Sequence, residues 1–400
     1  PQAVDFFGPA MRAAGPLEIV FLTAVGFFVP SATLSAVTPV VVKMRLRSLE
    51  ETGSVVGSFS AIGTAGALAG TFATGFFLLS AFPSRPMVLG LGVGLVVIGA
   101  LMSFRALGPR TVVPAMLLTL AGAGSALAAT GPCEYQTAYF CARIAVDEDD
   151  PSGRELWLDN LLHAYVDLDD PTNLQLRYAQ EMGDVIATLP EGPIDAAFIG
   201  GGGFSLPRYV NAVRPGSTST VFEIDGALVD LVQDELGLEP SEDIQVIVDD
   251  ARLGLHDEPD EAFDLVVGDA FGSLSVPWHL TTVEFIEEIE RVLRPGGIYV
   301  LNVIDYPPLE FVGAEVATLA DVFDHVGVIA PYRRLTGETG GNYVLAASDQ
   351  PIAWGEVQDA LNERERTEVV WSGEQALGFA GDADVLRDDF APVDQLIGRP

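Results

Sequence analysis

The chain has 400 residues, with 56 acidic against 21 basic side chains and a formal net charge of −35. That balance disfavours nucleic acid and anionic membrane surfaces as partners. The length suits two or three domains, and a mean hydropathy of +0.33 is high for a protein lying wholly in water.

Charge and hydropathy divide the chain at about residue 132. Residues 1–132 carry four acids and seven bases, whereas residues 133–400 carry 52 and 14. A solvated, salt-adapted surface explains most of the acidity, and cationic substrates also suit it. The first residue is Pro1, which points to a fragment or a processed product. No cleavable signal is evident, because the first apolar stretch is long and others follow.

Four apolar stretches lie in the first part, at 17–42, 55–82, 87–104 and 111–130. Each is near the ~20 residues that cross a bilayer as a helix, which predicts a transmembrane helical region of about four spans over 1–132. The second is rich in Gly, Ala and Ser at three- and four-residue spacing, which lets helix backbones approach closely in lipid. If all four span, Lys43, Arg45, Arg47, Arg105 and Arg110 share one side. The positive-inside rule then puts the acidic part outside the cytoplasm. A fourth stretch lying in the interface, as its Pro114 allows, would return the acidic part to the cytoplasm, and the side stays open. Within the stretches only Glu18 is charged, near an end, with Lys43 just past the first of them, which argues against proton-coupled transport. Cys133 and Cys141 follow. They are read equally as a disulfide or as two free thiols.

Residues 133–190 read as a small β-rich subdomain. Runs at 139–146 and 155–161 flank Asp149-Asp150-Pro151-Ser152-Gly153 as a hairpin, and 174–189 has helical spacing. Residues 191–350 alternate strands and helices, which predicts a doubly wound, Rossmann-like α/β domain with a parallel sheet. Its clearest helices are expected at 228–236 and 283–293, the latter stopping at Arg294-Pro295-Gly296-Gly297 before a strand at 298–303. Residues 351–400 are acidic and weakly patterned, and read as a tail.

The chemistry concentrates at the predicted strand ends. Ala196-Ala197-Phe198-Ile199 runs into Gly200-Gly201-Gly202-Gly203; Val221-Phe222 ends at Glu223-Ile224-Asp225; Asp249-Asp250-Ala251 follows a third run; and Leu265-Val266-Val267-Gly268 ends at Asp269. A glycine turn lets a ligand approach the backbone, and an acid on the next strand can accept both hydrogens of a ribose diol. Asp250 is placed to meet an adenine amino group. A dinucleotide fingerprint would need a further glycine near Ser205, and none is there.

These residues resemble those of the polyamine aminopropyltransferases, the spermidine synthase family. More closely, the chain resembles bacterial fusions of a transporter-like membrane region to such a domain. The resemblance also rests on Glu134, Ala138-Tyr139, Leu158-Asp159-Asn160, His163 to Asp167, Tyr178, Leu293-Arg294-Pro295-Gly296-Gly297 and Gly341-Asn342-Tyr343-Val344-Leu345. It implies decarboxylated S-adenosylmethionine as co-substrate, held by Gly200, Gly201, Gly202, Gly203, Glu223, Asp250, Ala251 and His163, with no metal. It implies Asp269 as the base that takes a proton from the attacking amine, with Tyr178 beside the acceptor. A core aromatic role for Tyr178, a helix-capping role for Asp269 and a structural role for His163 are the plainer readings.

Two departures stand out. The family's glycine run normally holds an acid where this chain has Gly203, and its Asp-x-x-Asp strand end is here Asp269-Ala270-Phe271-Gly272. Both losses remove charge from the subsite of a diamine, and Trp278 and His279 just beyond could reshape it. The leading expectation is a multi-pass membrane protein that transfers an aminopropyl group to an amine, its acceptor altered. The alternatives are an S-adenosylmethionine-dependent methyltransferase and a catalytically weak module that binds a polyamine or nucleoside. Expected partners are a small-molecule amine and the lipid bilayer, with a homo-oligomer allowed for.

Overall fold

The computed structural model describes residues 20, 24, 28–46, 48–78, 84–107, 133–239, 241–272 and 274–399. The chain forms two units, Pro1–Cys141 and Ala142–Pro400.

In the first unit, helix α1 (Val29–Arg45) starts with a proline in its first turn, where the missing N–H costs nothing, and ends on Lys43 and Arg45, which favour the negative helix end. Pro39 lies inside it. Helix α2 (Thr52–Ala73) is preceded by a 3-10 turn and runs on into a π turn. The resulting 30-residue rod, Leu49–Leu78, is the one helix among the described residues long and apolar enough to cross a membrane, and none of its apolar window is buried. Helix α3 (Ser84–Leu107) contains the shorter apolar run Met87–Leu101. The four crossings expected from hydropathy are therefore not reproduced. Stretch 87–104 gives the shorter apolar helix Met87–Leu101, the part of 17–42 from Val29 on lies in α1, and 111–130 lies outside the described residues. Past a short strand β1 (Tyr135–Gln136), Cys133 and Cys141 are joined in a disulfide with Cα atoms 5.1 Å apart, which settles the open question about the two thiols.

The second unit opens with an antiparallel meander, β2 (Cys141–Val146), β3 (Gly153–Leu158) and β4 (Leu161–Asp167). The predicted hairpin is present, paired from Ala142↔Leu158 to Val146↔Arg154. Helix α4 (Arg177–Ala187) follows, burying Met182, Val185 and Ile186 on one face.

The main sheet has eight strands: β5 (Asp195–Ile199), β6 (Thr218–Phe222), β7 (Ile244–Ile247), β8 (Phe263–Gly268), β9 (Leu293–Asp305), β10 (His325–Pro331), β11 (Gly341–Ser348) and β12 (Glu368–Ser372). Their spatial order is β12-β10-β11-β9-β8-β5-β6-β7. Strands β5 to β9 are parallel, and β11, β10 and β12 add an antiparallel flank. The sheet is thus mixed, where the alternation of elements had suggested a parallel one. Central strands β5 and β8 are apolar and buried apart from one partly exposed aspartate near the start of each, Asp195 and Asp264, as helices on both faces require. The crossovers are α5 (Ser205–Val213), α6 (Gly226–Glu235), α7 (Ala251–Asp257) and α8 (Val283–Val292). Chain order reverses at β5, which leaves a crevice beyond the carboxyl ends of β5 and β8.

After α9 (Glu310–Val322) and the short α10 (Tyr332–Leu335), the last 50 residues fold onto this sheet as α11 (Trp354–Glu363), β12, α12 (Glu374–Ala380) and α13 (Val393–Leu396). Strand β12 pairs with β10 from Gly327↔Ser372 to Pro331↔Glu368. Asp305, fully buried, ties the end down. Its carboxylate accepts N–H bonds from Tyr306 (2.7 Å), Gly398 (2.9 Å) and Val312 (3.0 Å). Asp305→Ala strands two buried donors, on Val312 and Gly398, each costing about 1–3 kcal/mol, and the half-buried Tyr306 N–H. Urea unfolding should show a loss of roughly 3 kcal/mol or more, with faster carboxypeptidase trimming of the last residues; unchanged unfolding would refute the anchor.

Candidate active site

The glycine turn joins β5 to α5. Gly200 has φ +90°, and a Cβ there would lie 2.7 Å from the Asp269 carbonyl oxygen, so the loop after β8 passes where only glycine fits. Gly203 faces β4: a Cβ on it would lie 2.6 Å from the Ala164 Cβ and 3.1 Å from a Val166 methyl.

Glu223 follows β6 and is buried. One oxygen accepts from the Gly201 N–H (2.8 Å) and the Gly202 N–H (3.3 Å), the other from the Asp225 N–H (2.9 Å). Burial raises its pKa, and those donors pull the other way. Glu223 therefore fixes the glycine turn from behind. Asp250 caps α7 through Oδ1, which accepts from the Arg252 and Leu253 N–H groups, while its Oδ2 lies 3.0 Å from His279 Nε2. Ala251 is the first residue of α7 and is buried. The Trp278 ring lies edge-on to His279, 5.8 Å between centroids, and is half exposed.

Asp269 closes β8. Its N–H donates to the Ile199 carbonyl, which sets the loop against the glycine turn. Tyr178, on α4, places its hydroxyl 3.1 Å from Asp269 Oδ2 and 3.0 Å from the His163 carbonyl, with one proton to share between them. Asn302, on β9, donates from Nδ2 to Asp269 Oδ1 at 3.0 Å, and Asn342, on β11, donates to Asn302 Oδ1 at 3.0 Å. Burial pushes the Asp269 carboxyl up to about 6, against the pull of Asn302 and Tyr178. Burial, then the charge of Asp269, raises the Tyr178 phenol well above its ordinary value. Burial lowers the His163 pKa and favours the neutral ring, against the pull of Asp159.

One cavity is lined by His163, Tyr178, Gly200 to Gly203 and Asp269 among others, and Asp269 is its sole carboxylate among the described residues. Glu223, Asp250 and Ala251 do not line it: the first acts through the glycine turn, the others sit at the α7 end with His279. Sequence reasoning missed Asn302 and the His279–Asp250 pair. Both are contacts between residues far apart in the chain, and neither leaves a local pattern. Among the described residues no group of three or more His, Cys, Asp or Glu side chains could hold a metal ion.

A Rossmann-like sheet with a glycine turn, an acid after the second strand and a half-buried acid after the fourth belongs to the class that binds S-adenosylmethionine-related ligands. Comparisons with known proteins agree. The family described as "Methyltransferase domain" matches residues 199–301. The polyamine aminopropyltransferase of Vibrio vulnificus (strain CMCP6) is 30% identical over 142 residues, covering 35% of this chain and 42% of that protein. That of Chromobacterium violaceum is 27% identical over 141 residues, covering 35% of this chain and 54% of that protein. The chain thus spans about half the length of these curated relatives. The crystal structure of a probable spermidine synthase from Corynebacterium glutamicum ATCC 13032 superposes with a TM-score of 0.61 at 25% identity, covering 68% of this chain and all of that one. The second unit is a spermidine-synthase-like domain.

Proposed function

We propose that the chain is a membrane-anchored aminopropyltransferase, moving the aminopropyl group of decarboxylated S-adenosylmethionine to a small amine. The observation that carries this reading is Asp269: a half-buried carboxyl, pushed up to about 6 by desolvation, lining the cavity beside the glycine turn. At pH 7 and above it is ionised and can take a proton. The amine lone pair attacks the propyl carbon next to sulfur, the C–S bond breaks with its electron pair going to sulfur, and Asp269 receives the amine proton. Methylthioadenosine leaves. Glu223 keeps the turn's backbone in place for the donor, and Tyr178 lies at the acceptor side of Asp269. The names of the aminopropyltransferase relatives support the reaction class.

Anchoring is inferred from the exposed apolar helix Leu49–Leu78 and the shorter apolar helix Met87–Leu101. In this reading the protein is a multi-pass protein of the cell membrane. The altered acceptor is inferred from Gly203 and Gly272, which leave Asp269 as the sole acid of the cavity among the described residues.

The test is an assay of the full chain in detergent, given decarboxylated or intact S-adenosylmethionine with a panel of amines. Amine-dependent methylthioadenosine is expected. S-adenosylhomocysteine instead would replace the proposal with methyl transfer, and neither product from a folded, nucleoside-binding protein would leave a binding module.

A further inference from the structure

We propose that Asn302, held by Asn342, is a positioning residue that selects which oxygen of Asp269 receives the proton. The proposal rests on the reading of Asp269 as base.

Asn302 sits inside β9, 2% exposed, at a position where an apolar side chain would satisfy the core. A buried amide is kept only where its polar atoms are paired. Here both ends are. Nδ2 donates to Asp269 Oδ1, and Oδ1 accepts from Asn342 Nδ2. An ionised carboxylate only accepts, so the Asn302 amide must face it with nitrogen; turned over, its oxygen would confront Asp269 Oδ1. Asn342 prevents that turn, because its own donated bond requires an oxygen on the far side. The strand pairing makes the relay possible: Val344 lies opposite Asn302 and Asn342 opposite Ile304, so the two amides are diagonal neighbours on adjacent strands.

The consequence is an asymmetric carboxylate. Oδ1 is occupied from within the sheet. Oδ2 faces Tyr178, whose single proton can instead go to the His163 carbonyl. When the phenol proton turns to that carbonyl, Oδ2 is open to the amine proton.

Asn302 also favours the ionised form, since it donates to it. Removing the amide therefore raises the pKa of Asp269. A loss of about one unit of stabilisation would move the acid limb of kcat/KM up from near pH 6. The rate at pH 6 would fall about fivefold further than the rate at pH 9. Asn342→Leu, at a half-buried site, should move the limb the same way by less.

The experiment is the pH profile of aminopropyl transfer by the full chain, for wild type, Asn302→Ala and Asn342→Leu. Alongside it runs an infrared titration of the carboxyl band that disappears in Asp269→Asn. An upward shift in limb and band in both variants is the expected result. Equal losses at every pH, with the band unmoved, overturn the proposal and make Asn302 structural. If wild type transfers nothing, the proposed reaction fails, and the band alone then decides whether Asn302 acts on Asp269. Should Asn302→Ala not fold, Asn342→Leu carries the test, and an unmoved band in it is the overturning result.

Discussion

Asp269→Asn is expected to end aminopropyl transfer and, at pH 8, to make the protein more stable. The two effects have one cause. Burial holds the Asp269 pKa up to about 6, against 3.8 for an ordinary aspartate. The folded chain therefore binds more protons than the unfolded chain between those values. Stability contributed by this group is present below pH 4, is lost as pH rises toward 6, and stays lost above it. Just over two units correspond to about 3 kcal/mol as an upper figure, the cost of keeping a charge in the interior. Asparagine is the same size and carries no charge, so it removes that cost and can still bond Tyr178 and Asn302. Loss of a positioned base costs about 100- to 10,000-fold in rate. The checks are the initial rate of methylthioadenosine release and urea unfolding at pH 4 and pH 8. A variant within a few-fold of wild-type rate would remove Asp269 from the chemistry. A stability gain no larger at pH 8 than at pH 4 would mean that the carboxyl is not held ionised in the core.

That Asp269 stood out in the sequence follows from how α/β domains are built. A buried parallel strand is a short apolar run, and the residue that ends it is read directly beside it. Gly200 to Gly203, Glu223, Asp250 and Asp269 are all such endings, and the structure puts each at the carboxyl end of its strand or in the loop just beyond it. What the ends do was less legible. Glu223 is expected from its strand end to meet a ribose diol; the structure adds that its carboxylate holds the glycine turn through the Gly201 and Gly202 N–H groups and accepts a third bond from the Asp225 N–H. Asp250 meets His279 at 29 residues' separation, and Asn302 meets Asp269 at 33. Asn302 does interrupt an apolar run, but the interruption does not name its partner, which lies on another strand's end. Strand β12 was invisible for a related reason. It is five residues long, begins with a buried Glu368 and lies in an acidic stretch, so its pairing with β10 comes from the fold and not from its own composition. In the first unit, hydropathy found apolar stretches but could not set helix length.

The two glycines that stand where the related enzymes carry acids should respond oppositely to aspartate. At Gly203 a Cβ would lie 2.6 Å from the Ala164 Cβ and 3.1 Å from Val166. Both belong to β4, so neither can rotate away like the end of a long side chain. Overpacking of this kind costs about 1–3 kcal/mol, and burying a carboxylate against two aliphatic groups adds more. Gly203→Asp is therefore expected to lose roughly 3 kcal/mol or more in urea unfolding, and Ala164→Gly in the same chain should recover part of it. At Gly272 a Cβ would meet only the Ser275 carbonyl, at 3.9 Å, and the residue is exposed. Gly272→Asp should change stability by less than about 0.5 kcal/mol. Its effect belongs in selectivity. A second carboxylate three residues from Asp269 gives a dicationic acceptor a partner for its far ammonium. The ratio of kcat/KM for putrescine over butylamine should rise, by about tenfold for each 1.4 kcal/mol of added attraction. An unchanged ratio would mean that the acceptor's far end never reaches this loop. A stable Gly203→Asp would mean that β4 yields, so that the acid is absent for a reason other than space. The apolar wall of Ala164 and Val166 and the open Gly272 thus separate two causes of one chemical difference: at the first position the fold has closed the place of the acid, and at the second the place is free.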